Sequence, residues 1–126
     1  MTREKEGVKP LTSQELSEII RTLLEDKKAQ DVQVIDIANK TILADYFVLA
    51  TGMSTTHVKA LADEVEYMLK ENHHRLLDHS EGFESSRWIL LDYGDVVVHV
   101  FHPEERDFYS LEKLWQTSRS RDSVKA

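Results

Sequence analysis

The sequence predicts an α/β fold: a single domain in which helices flank one mixed β-sheet. Three observations carry the prediction. Two segments space their apolar residues as helices do, five short segments read as strands, and the two kinds are interspersed along the chain instead of segregated.

Residues 1–10, MTREKEGVKP, are charged, aperiodic and end in proline, and are expected to form a flexible N-terminal tail. Thr12 or Ser13 can cap a helix whose apolar stripe is Leu16, Ile19, Ile20, Leu23 and Leu24. The stripe ends near Lys27 and Lys28, where cations suit a helix C-terminus. Val32, Val34, Ile35 and Ile37 form a short strand, followed by a turn at Asn39-Lys40. Residues 45–52, DYFVLATG, form the next strand, which Gly52 ends. Ser54 caps a second helix with the stripe Val58, Leu61, Ala62, Val65, Met68 and Leu69. Lys59, Asp63, Glu66 and Lys70 mark its wet face, and His73-His74 closes it. Residues 75–79 are a weak strand candidate and residues 81–86 a loop.

Two apolar runs, residues 88–91 and 96–101, then pair through the turn signal Asp92-Tyr93-Gly94-Asp95. They barely alternate, so both faces of the sheet are expected to be covered. Pro103 begins a helical turn through Phe108, and Ser110 caps a short helix over residues 111–115. The folded domain is placed at residues 11–116, with a flexible C-terminal tail at 117–126.

A chain of 126 residues, 40% hydrophobic and 31% charged, suits one soluble domain with one core. No apolar run approaches a membrane span, and the N-terminus has neither a signal peptide's apolar core nor a transit peptide's character, so a cytoplasmic location is the default. The absence of cysteine excludes disulfides, thiol catalysis and cysteine-ligated zinc. The formal net charge of −7 opposes phosphate backbones, and Arg119, Arg121 and Lys125 are interleaved with Asp122, so direct DNA binding is not expected. An acidic balance suits a basic protein partner but is common enough to decide little.

Several groups invite a chemical reading. Gly52-Met53-Ser54 joins a strand to a helix, where free N–H groups can hold a phosphate. It lacks the glycines of a dinucleotide fingerprint and the lysine of a P-loop, so a helix cap is the stronger reading. Asp92 and Asp95 can bind metal or exchange protons, yet Asp and Gly also dominate turns for conformational reasons. His99 and His102 fall on opposite faces of a strand and make a poor metal pair. His99 shares parity with Val97 and Phe101 and reads as a hydrogen-bonded, semi-buried histidine. His57 reads as a cap-region or surface residue, while His73, His74 and His79 lack a zincin's spacing. No Ser-His-Asp arrangement is specific. The aromatics Trp88, Tyr93, Phe108, Tyr109 and Trp115 exceed what a small core obviously needs. Such residues are enriched at interface hot spots; for Trp88 a surface-facing role stands beside a core role, and for Phe108 core filling is preferred.

Taken in order, these segments resemble a known family. Asp45-Tyr46-Phe47-Val48, Ala50-Thr51-Gly52-x-Ser54-x-x-His57-Val58 and Ala60-Leu61-Ala62-Asp63 are similar to the first signature of the ribosomal silencing factors, also called the Iojap-like family. Glu81-Gly82 and the run from Ser86-x-Trp88 to Phe101 resemble its second signature, and Tyr109-x-Leu111-Glu112-x-Leu114-Trp115 its usual ending. The resemblance spans roughly residues 11–115.

The resemblance implies a nucleotidyltransferase-like fold, often seen as homodimers. It also implies binding to the large ribosomal subunit through its universal protein fourteen, which blocks joining of the small subunit and represses translation when nutrients are scarce. This would be steric exclusion by a protein that is not an enzyme, with no cofactor and no metal. The implied partner-binding residues are Trp88 as anchor, Asp92, Tyr93 and Asp95 as polar contacts, Glu81 and Gly82 at the rim, and Tyr109 and Trp115 as extensions. The fold analogy supplies an alternative, a metal-dependent enzyme acting on nucleotides. True nucleotidyltransferases follow a Gly-Ser turn with acids on a nearby strand. Here Met53 intervenes, Asp63 and Glu64 fall inside the second helix, and Asp36 and Asp45 precede the turn, which argues against that chemistry.

Overall fold

A computed structural model describes residues 10–109, with side chains described as far as Arg106. The expected tails apart from Pro10, the helix at residues 111–115, Trp115, and the side chains of Phe108 and Tyr109 lie outside the described residues. The elements are α1 (Ser13–Asp26), β1 (Gln30–Asp36), β2 (Tyr46–Thr51), α2 (Thr55–His73), β3 (His79–Glu81), β4 (Trp88–Asp92), β5 (Val96–Phe101) and α3 (Pro103–Tyr109).

Local chemistry sets the helix ends. Thr12 Oγ1 accepts from the Glu15 N–H while Glu15 Oε1 accepts from the Thr12 N–H, each at 3.0 Å, a reciprocal capping box that starts α1. Ser54 Oγ accepts from the His57 N–H at 3.1 Å and starts α2. His74 ends α2 in the left-handed conformation, its N–H reaching the Leu69 carbonyl. The expected strand at residues 75–79 lies later, at His79–Glu81. Arg75 explains the shift: its N–H is bound by the Leu69 carbonyl and its guanidinium by Tyr93 and Asp95. Residues 75–78 therefore remain a connector, and pairing begins where His79 meets Asp92.

The five-stranded sheet has the order β1-β2-β5-β4-β3. β2 and β5 run parallel at its centre, from Tyr46 opposite Val96 to Thr51 opposite Phe101, and the other pairs are antiparallel. A parallel pair needs a crossover, and α2 lies within it. One sheet face receives both α1 and α2. Its core joins Leu16, Ile20 and Leu24 to Val58, Leu61, Val65 and Leu69 over Val48, Ala50, Ile89, Leu91, Val98 and Val100.

The expectation that both faces are covered holds for most of β5, where Val98, His99, Val100 and Phe101 are all buried, and requires correction for β4. β4 alternates between half-buried Trp88, Leu90 and Asp92 and buried Ile89 and Leu91. The second face carries a smaller cluster of Ile35, Ile37, Ala44, Leu49 and Phe101, against which Phe47, Trp88 and Val97 pack while only half-buried. Among the described residues no helix lies over Trp88, Leu90 and Val97, because α1 and α2 both dock on the other side. This face is therefore buried at its centre and half-buried around Trp88, Leu90 and Val97.

Arg106 on α3 is buried, at 5% exposure. Its Nη1 donates to the Asp31 carbonyl at 2.7 Å and to Thr51 Oγ1 at 2.9 Å, fastening α3 across the ends of β1 and β2. Asp31 stands at positive φ in the irregular start of β1, which turns its carbonyl from the ladder. Removing the guanidinium strands both acceptors, so Arg106→Ala is expected to lower stability by about 2 kcal/mol or more. Urea unfolding of the variant checks this, and a midpoint equal to the wild type's contradicts it.

Candidate functional site

The strand register gathers the site. Residues paired directly across neighbouring strands share a face, so Glu81 sits beside Leu90, Leu90 beside His99, Trp88 beside Phe101, and Asp92 beside Val97. Glu81, Gly82, Trp88 and Leu90 line a groove on the half-open face. Of the residues expected from sequence, Trp88, Glu81 and Gly82 are thus brought together, and Asp92 lies on the same face farther along β4.

Gly82 has a backbone reason to be glycine. Its φ is +93°, and a Cβ there would lie 2.0 Å from the Trp88 carbonyl oxygen. The loop after β3 therefore passes against the start of β4 and closes one side of the groove. Glu81 is exposed and within 2.6 Å of His79 Nε2.

Trp88 is half-buried and its indole is held from below. Its Nε1 donates to His99 Nδ1 at 3.1 Å, and its ring centroid lies 4.9 Å from Phe101. Phe47 meets His99 edge-on at 4.8 Å. The question of surface or core for Trp88 resolves into both: one side packs on aromatics and the other borders the groove. His99 is only 4% exposed, more deeply buried than its strand parity suggests. An indole nitrogen is only a donor, so His99 Nδ1 must be the unprotonated nitrogen and Nε2 carries the hydrogen. Burial pushes the His99 pKa down from 6.5 to about 4.

Tyr93 is not exposed at the turn, contrary to the expectation of a surface contact. It is buried at 3% exposure in the core beneath the helices, because the turn folds its ring back under Arg75. Burial, then the nearby Glu66, pushes its hydroxyl pKa up. Asp92 and Asp95 serve the turn first. Asp92 Oδ1 accepts from the Gly94 N–H at 2.8 Å, with Gly94 at φ +92°. Asp95 Oδ1 accepts from Arg75 Nη2 at 3.0 Å, and its carbonyl accepts from Asp45 and Tyr46.

The helix-cap reading of Gly52-Met53-Ser54 stands over the phosphate one, because several of the N–H groups around it are already engaged. The Gly52 N–H goes to the Phe101 carbonyl, the Met53 N–H to His57 Nδ1, the His57 N–H to Ser54 Oγ and the Val58 N–H to the Ser54 carbonyl. His57 Nε2 then bonds the Lys27 carbonyl at 3.0 Å, tying the start of α2 to the end of α1. Two of the acids weighed for metal binding are also engaged elsewhere: Asp63 pairs with Lys59, and Asp36 caps its own turn at Ala38.

Two features were not anticipated from sequence. The first is the Arg106 clamp. The second is the group of His102, Glu104 and Glu105, whose ligand atoms lie within 4.8 Å of one another. Arg87 occupies this group, with Nη2 2.8 Å from Glu104 Oε1 and Nε 2.9 Å from Glu105 Oε2. Its guanidinium holds the Glu105 carboxyl below the usual carboxylate range. The arrangement ties α3 to the residue before Trp88.

The buried imidazole makes stability depend on pH. The folded pKa lies below the unfolded value, so unfolded chains take up the proton first as pH falls. The contribution is complete above about pH 6.5, declines toward pH 4 and amounts to about 3 kcal/mol. Urea unfolding across this window checks it. The slope for His99→Leu is expected to be shallower than for wild type, and parallel curves contradict the assignment.

Comparisons with known proteins agree on one family. The family described as "Ribosomal silencing factor during starvation" matches residues 10–126. The chain is 40% identical over 105 residues to the ribosomal silencing factor RsfS of Bacillus subtilis, covering 83% of this chain and 88% of that one. It is 45% identical over 102 residues to the RsfS of Chromobacterium violaceum, covering 81% and 83%. A crystal structure of a Chromobacterium violaceum protein superposes with a TM-score of 0.80 at 43% identity, covering 84% of this chain and 88% of that one. The chain belongs to the ribosomal silencing factor family.

Proposed function

We propose that this protein represses translation in the cytoplasm by binding the large ribosomal subunit and excluding the small one. Its contact there is the universal protein fourteen, and the mechanism is steric, with no bond made or broken. The observation that carries the reading is the half-open sheet face, where Trp88 and Leu90 border a groove that none of the described helices fills. An aromatic supported by its own sheet and lining a groove is the kind of residue that dominates binding energy. Glu81 and Asp92 share that face and place negative charge beside it. Together with a net charge of −7, they favour a basic protein surface, chiefly through association rate and orientation. Glu81, Gly82 and Asp92 form the rim in this reading, with Asp95 at the end of the hairpin. Tyr109 and Trp115 extend the contact toward the C-terminus.

The test is formation of joined ribosomes from purified subunits, with and without the protein. Saturating protein is expected to reduce joining, and unchanged joining overturns the proposal. Trp88→Ala is expected to weaken co-sedimentation with large subunits by about 2 kcal/mol or more, roughly thirtyfold. Because Trp88 also packs on Phe101, its melting temperature is measured alongside. Wild-type co-sedimentation by the folded variant counts against the anchor.

The same half-open face is the surface a second copy would cover, so self-association and ribosomal binding are proposed to compete. Titrating the dimer with the ribosomal protein is expected to lower dimer content in sedimentation velocity. A dimer that binds it without dissociating contradicts the competition.

A further inference from the structure

We infer that His99 is a positioning residue of the partner face, its Nδ1 fixing the Trp88 indole in the orientation that a partner meets. The inference rests on the proposed ribosomal reading and identifies which buried group sets the geometry of its anchor.

His99 is the polar side chain in the run VVVHVF, on the strand at the centre of the sheet. Packing gives little reason for it. Phe47, Leu49, Leu90 and Phe101 surround the position across the register and in ring contacts, so an aliphatic residue would fit their chemistry without desolvating an imidazole. The imidazole also carries a burden, since Nε2 finds no hydrogen-bond partner among the described residues. The atom with a use is Nδ1, 3.1 Å from the indole nitrogen of Trp88. Trp88 is the first residue of β4, against the loop containing Gly82, and lines the groove. An outward orientation would leave the N–H to water. The buried acceptor instead draws the N–H edge inward, while Phe101 supports the ring at 4.9 Å. A partner then meets a ring already held in place and loses less freedom on docking.

The experiment removes the acceptor and then restores it. His99→Leu and His99→Ile both delete it, so either folded variant suffices, and His99→Asn returns an oxygen near the Nδ1 position. The readouts are the Trp88 indole N–H signal by NMR, assigned with Trp88→Phe, the melting temperature, and affinity for large subunits by co-sedimentation. The acceptor-free variants are expected to shift the indole signal upfield, speed its exchange with water and weaken binding about five- to tenfold, with no loss of melting temperature. His99→Asn is expected to restore most of the affinity. In the Trp88→Phe background, which has no indole N–H, His99→Leu should add nothing. Wild-type affinity in a folded acceptor-free variant overturns the inference. So does an equal loss in the Leu and Asn variants that tracks their melting temperatures, because the role is then structural. Failure of the wild type to co-sediment overturns the ribosomal reading instead; the indole signal still decides whether His99 holds Trp88.

Discussion

The parallel pairing of β2 with β5 governs this molecule. Parallel neighbours cannot be joined by a tight turn, so the chain leaves the sheet after Thr51, runs through α2, and returns by way of β3 and β4. Ser54 and His57 fix where that departure begins, and α1 packs beside α2 on the same side of the sheet. Both helices are thereby spent on one face. The opposite face keeps its apolar side chains, and the described residues leave Trp88, Leu90 and Val97 partly uncovered. In this fold the candidate site follows directly from where the crossover goes.

The half-open face is also where polar groups are handled least economically. The helix-covered core is built mainly from aliphatic side chains, whereas the other side buries an imidazole among three aromatic rings. A core selected for stability alone has no need of such a group. Local arrangements that conflict with simple packing are expected where a surface has work beyond folding. The neighbouring Arg87, bound to Glu104 and Glu105, links the same region to α3, so the start of β4 is braced from two directions.

Much of the scaffold was legible in the sequence because it depends on short-range signals. The stripes of α1 and α2, the caps at Thr12 and Ser54, and the hairpin turn at Gly94 each follow from residues within a few positions of one another. The parity of His99 with Phe101 placed it on the correct face. What was hidden depends on contacts between distant segments. Tyr93 sits in a turn, where exposure is the natural expectation, but Arg75 draws the turn inward across eighteen positions. Arg106 looks like a surface cation until its partners in β1 and β2 are known. The apolar run of β5 does not reveal whether a second layer of helices exists to cover it. For the site, the sequence indicated Trp88, Glu81 and Gly82; the groove they share with Leu90 required the register of three strands.

The central strand pair also sets an order of events during synthesis. The hairpin of β1 and β2 is complete early, but its open edge waits for β5, which emerges only after α2, β3 and β4. Closing so long a segment is the slow kind of step in forming a sheet. The proposed docking face is assembled from β3, β4 and β5, with β2 beside them, and has no counterpart in any shorter length of chain. A nascent copy therefore lacks the proposed face until β5 has emerged and paired with β2 and β4, so whatever that face binds stays out of its reach until the central sheet is complete.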